Sequence, residues 1–134
     1  VKVGSPLEQT WHAGEYVLQS EVELIREQRL LADTLHGVTG YYSNDHAVNL
    51  LMEVEGQMMA AKPRILSQLD RFLGMSAAEM DPFSLGRRLN YYGSMDDMAL
   101  PDRHEQVARQ VAEIQRRYPG QNDEICHHLR EQVV

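Results

Sequence analysis

The sequence is short of several things, and each shortage narrows what the chain can be. It holds one cysteine, Cys126, so no disulfide can form within it. A bridge-free fold in a reducing compartment is therefore expected, and the cytoplasm is the expected location. No apolar run approaches the ~18 residues needed to span a bilayer, so no membrane segment is expected. No signal peptide is visible at the start of the sequence. Positive charge is scarce: 13 Lys and Arg stand against 20 Asp and Glu, a net charge of −7. That sign repels phosphate, which argues against direct nucleic-acid binding and against anionic membranes. The short basic pairs Arg87-Arg88 and Arg116-Arg117 do not make a basic stripe. The sequence has neither Gly-x-x-x-x-Gly-Lys nor Gly-x-Gly-x-x-Gly, so phosphate-cradling loops are excluded. No segment of useful length alternates apolar and polar residues as a half-buried strand does.

What is present is helical. Ala47, Leu51, Val54, Met58, Ala61, Ile65, Leu69 and Phe72 recur every three or four residues, the spacing of one helix face. The stripe keeps its phase across Pro63. The expectation is one long helix over 44–73, bent or briefly broken at Lys62-Pro63, capped by Ser43 or Asn44 and stopped by Gly74. Val48, Met52, Met59, Leu66 and Leu73 form a second stripe beside the first.

Upstream, Ser5, Pro6 and Glu8 have the form of a capping box with a first-turn proline. Trp11, Leu18, Val22, Ile25, Ala32 and Leu35 follow at helical spacing, flanked by Val17, Leu24 and Leu31. Gly14 weakens the early part, so this helix is expected to be firm from about Glu15 and to stop at Gly37. Downstream, Ser76 and Glu79 suggest a very short capped helix. Asp81-Pro82 suggests the start of another, carrying Phe83, Leu85 and Leu89 inward. The stretch 94–101 reads as a turn or loose helical turn. Pro101 and Asp102 open a helix with Val107, Val111, Ile114 and Tyr118 on its apolar face. Pro119-Gly120 stops it, and Asn122 or Asp123 caps a last helix with Ile125, Leu129 and Val133. The expected fold is a single all-α domain over residues 1–134. It has five or six helices, with a long antiparallel hairpin and shorter helices packed across it in a bundle-like manner.

Each catalytic pattern is weaker than its plain alternative. Glu124-x-x-His127 and Asp33-x-x-His36 imitate half of a di-iron bundle site each, but a complete site needs further glutamates. Cys126 beside His127 and His128 invites a thiol mechanism, but adjacent helical residues point about 100° apart. No catalytic residue, cofactor or metal is therefore assigned, and no enzymatic activity is expected.

The two-stripe helix is broader than one neighbour usually covers. Val54, Met58 and Ile65 are expected in the core, and Met52, Met59 and Leu66 on a face that meets another chain. Tyr41, Tyr42, Tyr91 and Tyr92, in or beside loops, are further candidates for partner contact, since tyrosine offers area and a hydrogen bond together. The functional expectation is a non-enzymatic regulatory module, a homodimer of the anti-activator or adaptor type. It would mask or sequester a protein partner, and the acidic charge suits a basic one such as a DNA-binding regulator. The alternative is a metal- or small-ligand-binding helical bundle using Asp33, His36, Glu124 and His127, with an enzyme as one form of it. A third reading is a segment of a longer protein, since the sequence opens on valine.

Overall fold

Two helices set the frame. α2 (Glu21–Thr34) begins at a complete capping box: the Ser20 hydroxyl accepts from the Glu23 amide, and the Glu23 carboxylate accepts from the Ser20 amide at 2.8 Å. α3 (Met58–Leu73) lies against it. Their direction follows from the side chains that join them. Arg29 of α2 pairs with Asp70 of α3, while Lys62 of α3 reaches the carbonyls of Asp33 and Leu35 at 2.7 and 2.8 Å. Rising numbers on one helix meet falling numbers on the other, so the hairpin is antiparallel. Lys62 also supplies donors and positive charge to carbonyls that the end of α2 leaves without partners.

The computed structural model describes residues 4–46 and 48–132. Ala47 of the expected stripe and Val133 of the expected last helix lie outside them. Among the described residues there are six α-helices, one 3-10 turn and a two-stranded antiparallel ladder. Besides α2 and α3, the helices are α1 (Pro6–His12), α4 (Ala77–Arg88), α5 (Pro101–Arg117) and α6 (Asn122–Glu131). α5 and α6 both pack on α4. The expected all-α, hairpin-based architecture is the one found. No helix in the described residues is long and apolar enough to cross a membrane.

Three expected boundaries are corrected. First, the helix from 44 starts only at Met58. The described residues of 43–55 form a loop whose ends are held together by β1 (Tyr41–Tyr42) pairing with β2 (Gly56–Gln57). Gly56 is the reason. Its φ is +148°, far from helical, and a Cβ there would lie 2.5 Å from the Ala61 Cβ. Leu51 and Val54 of the stripe are buried all the same, as is Leu50, which lies on neither stripe, so burial matched the stripe at two positions while the backbone did not. Second, the helix from Pro6 does not run through to Leu35. The Ser5 cap holds, with the hydroxyl accepting from the Glu8 amide. α1 then ends at His12, and Gly14 adopts φ +75°. The chain turns helical again only at the Ser20 capping box. Third, Asp81-Pro82 starts nothing. α4 begins at the Ser76–Glu79 capping box and runs through Pro82, as α3 runs through Pro63. The stretch 94–101 is, as expected, a short turn: a 3-10 segment (Met95–Ala99) that the Asp97 carboxylate caps back to Ser94.

The core is a single cluster in which Phe72, Phe83, Leu69, Ile65 and Tyr92 are almost wholly enclosed. Tyr92 stacks on Phe83 with ring centres 6.0 Å apart. Gly86 makes room for it, since a Cβ there would meet the Tyr92 ring at 2.7 Å.

Candidate protein-binding surface

Val54, Met58 and Ile65 are buried, while Met59 is 68 % exposed. Leu66 is half-buried and packs on the core, and Met52 is half-buried in the 43–55 loop. Tyr41 is exposed on β1; burial and a hydrogen bond to Glu55 raise its hydroxyl pKa above the usual tyrosine value. Tyr42 and Tyr91 are half-buried against the core. Tyr92 is a correction: at 1 % exposure it is a core side chain and presents nothing to a partner. The sequence signal that separates it from Tyr91 is Gly86, whose missing side chain leaves space for one ring.

The proposed ligand set does not converge. Asp33 and His36 sit at the C-terminal end of α2, where the His36 Nδ1 lies 3.5 Å from the Lys62 Nζ. His127 sits at the other end, donating from Nε2 to the Gln19 carbonyl at 2.8 Å just before α2 begins. The intervening helix is about 20 Å long, several times any shared metal coordination distance. No group of three or more His, Cys, Asp or Glu in the described residues is arranged to hold an ion. Cys126 is buried, and desolvation, followed by the Glu21 carboxylate, pushes its thiol up to about 12. It is therefore a thiol rather than a nucleophilic thiolate at neutral pH.

One charged cluster is fully internal. Glu21, at 3 % exposure, accepts from Arg88 through both oxygens at 2.9 Å, and Arg130 stands 3.7 Å away. Arg88 also donates to the Val48 carbonyl at 2.7 Å. These bonds tie α2, α4, α6 and the 43–55 loop together.

The surface that sequence reasoning missed lies beside this cluster. α1 contains no buried residue. The segment after it is held by its backbone: the Gln19 carbonyl accepts from His127 and from Arg130, at 2.8 and 2.9 Å. Val17 of this segment is 80 % exposed and Leu18 half-buried, while Leu7 of α1 is 44 % exposed. Two grooves flank the segment. One, of about 350 Å3, is lined by Leu7, Tyr16, Leu18, Leu24 and Val48, with His127 and Arg130 among its polar groups. The other, of about 540 Å3, has Trp11, Tyr16, Val17 and Leu18 as its apolar wall and Glu23, Asp123 and Glu124 as acidic lining. Burial raises the Asp123 carboxyl above the usual aspartate range, and its neighbour Glu124 adds to this against the opposing pull of His127. Glu23 is held below the usual glutamate range by its hydrogen bonds to Ser20. Trp11, Val17 and Leu18 were expected on the inner faces of one long helix. The readable signals against this were Gly14 followed by Ser20-x-x-Glu23, a break and a restart that leave 13–19 outside any helix.

No family model matches the sequence, no curated protein resembles it significantly, and no solved structure matches it significantly. Function must therefore be argued from the surface itself.

Proposed function

We propose that this protein is a non-enzymatic binding module that sequesters or masks a partner protein, and that its N-terminal arm forms the main contact. A DNA-binding regulator held by an anti-activator or adaptor is the kind of pair the acidic charge favours. One observation carries the reading: an arm anchored by its backbone leaves Leu7, Tyr16 and Val17 exposed, with Trp11 and Leu18 half-buried beside them. Unpartnered apolar groups rimmed by polar ones mark contact surfaces. Met59, with Tyr41 near the start of α3, is a second uncovered area and is assigned to homodimer contact.

The test uses the full chain as bait beside two variants that leave the core alone, Val17→Ser and Met59→Ser. A stoichiometric protein partner retained by wild type and lost by Val17→Ser supports the reading. Equal recovery by wild type and Val17→Ser overturns the role of the arm. Sedimentation equilibrium tests the dimer: wild type should associate and Met59→Ser should not, and a monomeric wild type removes the homodimer.

A further inference from the structure

We propose that the groove formed by the arm and the first turn of α6 receives a basic amphipathic segment of a partner protein. Apolar residues of that segment would rest on Trp11, Tyr16 and Val17, and its Lys or Arg side chains would meet Asp123 and Glu124. This rests on the protein-binding reading above and adds the chemistry of the partner.

Glu21, Asp70, Asp96, Asp97 and Glu113 are each within ion-pair distance of an arginine. Asp123 and Glu124 make no salt bridge among the described residues, as is also true of Asp102 and Glu105, but unlike those they lie in an aromatic-lined groove. Acidic residues in a helix's first turn match the macrodipole, which explains why they are at the start of α6. It does not explain a tryptophan, a tyrosine and a bare valine facing the same space. Both carboxylates are exposed, so a cation reaches them freely, and one that also covers the aromatic wall gains more here than at a flat surface. The aromatic wall suits the same guest, because Trp and Tyr faces attract ammonium and guanidinium groups while covering their alkyl stems. A second copy of this chain is a poor occupant, since it brings a net charge of −7 to an acidic rim. An anionic surface is repelled for the same reason.

Trp11 is the sole tryptophan, so its fluorescence reports on this groove directly. The probes are two synthetic amphipathic helices of ~18 residues, five turns long. They share one leucine pattern, one with lysines and the other with glutamates on the polar face. The lysine peptide should shift Trp11 emission saturably, and added salt should weaken it. Asp123→Asn with Glu124→Gln should weaken binding about tenfold or more. Asp102→Asn with Glu105→Gln makes the same charge change on exposed positions at the start of α5 and should leave binding unchanged. Val17→Ser, at a position too exposed to matter for folding, should also weaken the peptide. Equal losses from the two charge variants, or no Trp11 response, overturn the proposal. If the glutamate peptide binds equally well and Val17→Ser abolishes it, the basic-partner inference fails while the protein-binding reading stands. If neither peptide binds and Val17→Ser retains every partner that wild type captures, both fail.

Discussion

Residues 43–55 and α3 are adjacent in the chain and both bury apolar side chains in one core, but they are held by opposite means. α3 satisfies most of its own backbone and needs its neighbours only for packing. The loop has no such ladder. Its carbonyls are taken by side chains, one from within the loop and two from α4: Leu51 by the Asn44 amide at 2.7 Å, Leu50 by Arg87 at 2.9 Å and Val48 by Arg88 at 2.7 Å. Buried backbone polar groups must be paired, and a segment that cannot pair them internally borrows partners. The loop's conformation therefore belongs to a few polar residues, whereas that of α3 is spread over many equivalent bonds. Compact loops of this kind, roughly 6–16 residues with their ends together, are packed by their own side chains.

The largest expected break in this contrast is at Arg88. Arg88→Met removes the donor to the loop and both short hydrogen bonds to Glu21, whose side chain is 4 % exposed and keeps only Arg130 at 3.7 Å. Removing one partner of a buried pair costs ~3–5 kcal/mol. Denaturant unfolding should show a loss of that size, and replacing Glu21 and Arg88 together by apolar residues should restore much of it. A double variant as unstable as the single one would contradict the pairing.

Gly56 is the hinge between the two regimes. Gly56→Ala must place a Cβ 2.5 Å from that of Ala61 with φ at +148°. Backbone strain and overpacking together should cost ~2–4 kcal/mol. If the chain were free to continue α3 backwards through this point, alanine would instead stabilise it, and a rise in Tm would overturn the account of the loop.

Asn44 comes next. Asn44→Ala leaves the Leu51 carbonyl with only the Val54 amide at 3.2 Å, and Gln28 without one of its partners. The expected cost is ~1–3 kcal/mol. Hydrogen exchange should rise in 43–55 well before it rises in α3. Uniform loosening of both segments would show that they share one cooperative unit and that the contrast is one of geometry only.

What the sequence disclosed follows the same division. Helical positions whose partners lie within four residues were legible: the Ser5 and Ser76 caps, the inward face of α3, and Val107 and Val111 of α5. The loop was not, because its apolar residues are buried at intervals that a helix would also produce, and the residues that fix it, Arg87, Arg88 and Gln28, are distant in the chain. The arm was misread in reverse. Trp11 and Leu18 kept a helical spacing that Gly14 had already interrupted. Of the candidate contact residues, Met59 and Tyr41 are well exposed, Met52, Leu66, Tyr42 and Tyr91 are half-covered, and Tyr92 is core.

The smallest stability effect is expected at Met59, and its smallness is the point. Met52 and Met59 lie seven residues apart on one sequence stripe, yet one is half-covered in the loop and the other, in the first turn of α3, is 68 % exposed. Met59→Ser should change stability by under ~0.5 kcal/mol, as for an ordinary surface site, whereas Met52→Ser should cost about 1 kcal/mol. Measured in dilute solution, that difference reports only the fold. Raised concentration separates fold from assembly, because a contact between copies stabilises the folded chain by mass action. Wild type and Met52→Ser should then gain Tm with concentration if Met59 meets a second copy, and Met59→Ser should not. A Tm of wild type that is independent of concentration would leave Met59 as a plain surface methionine and remove α3 from the list of contact faces.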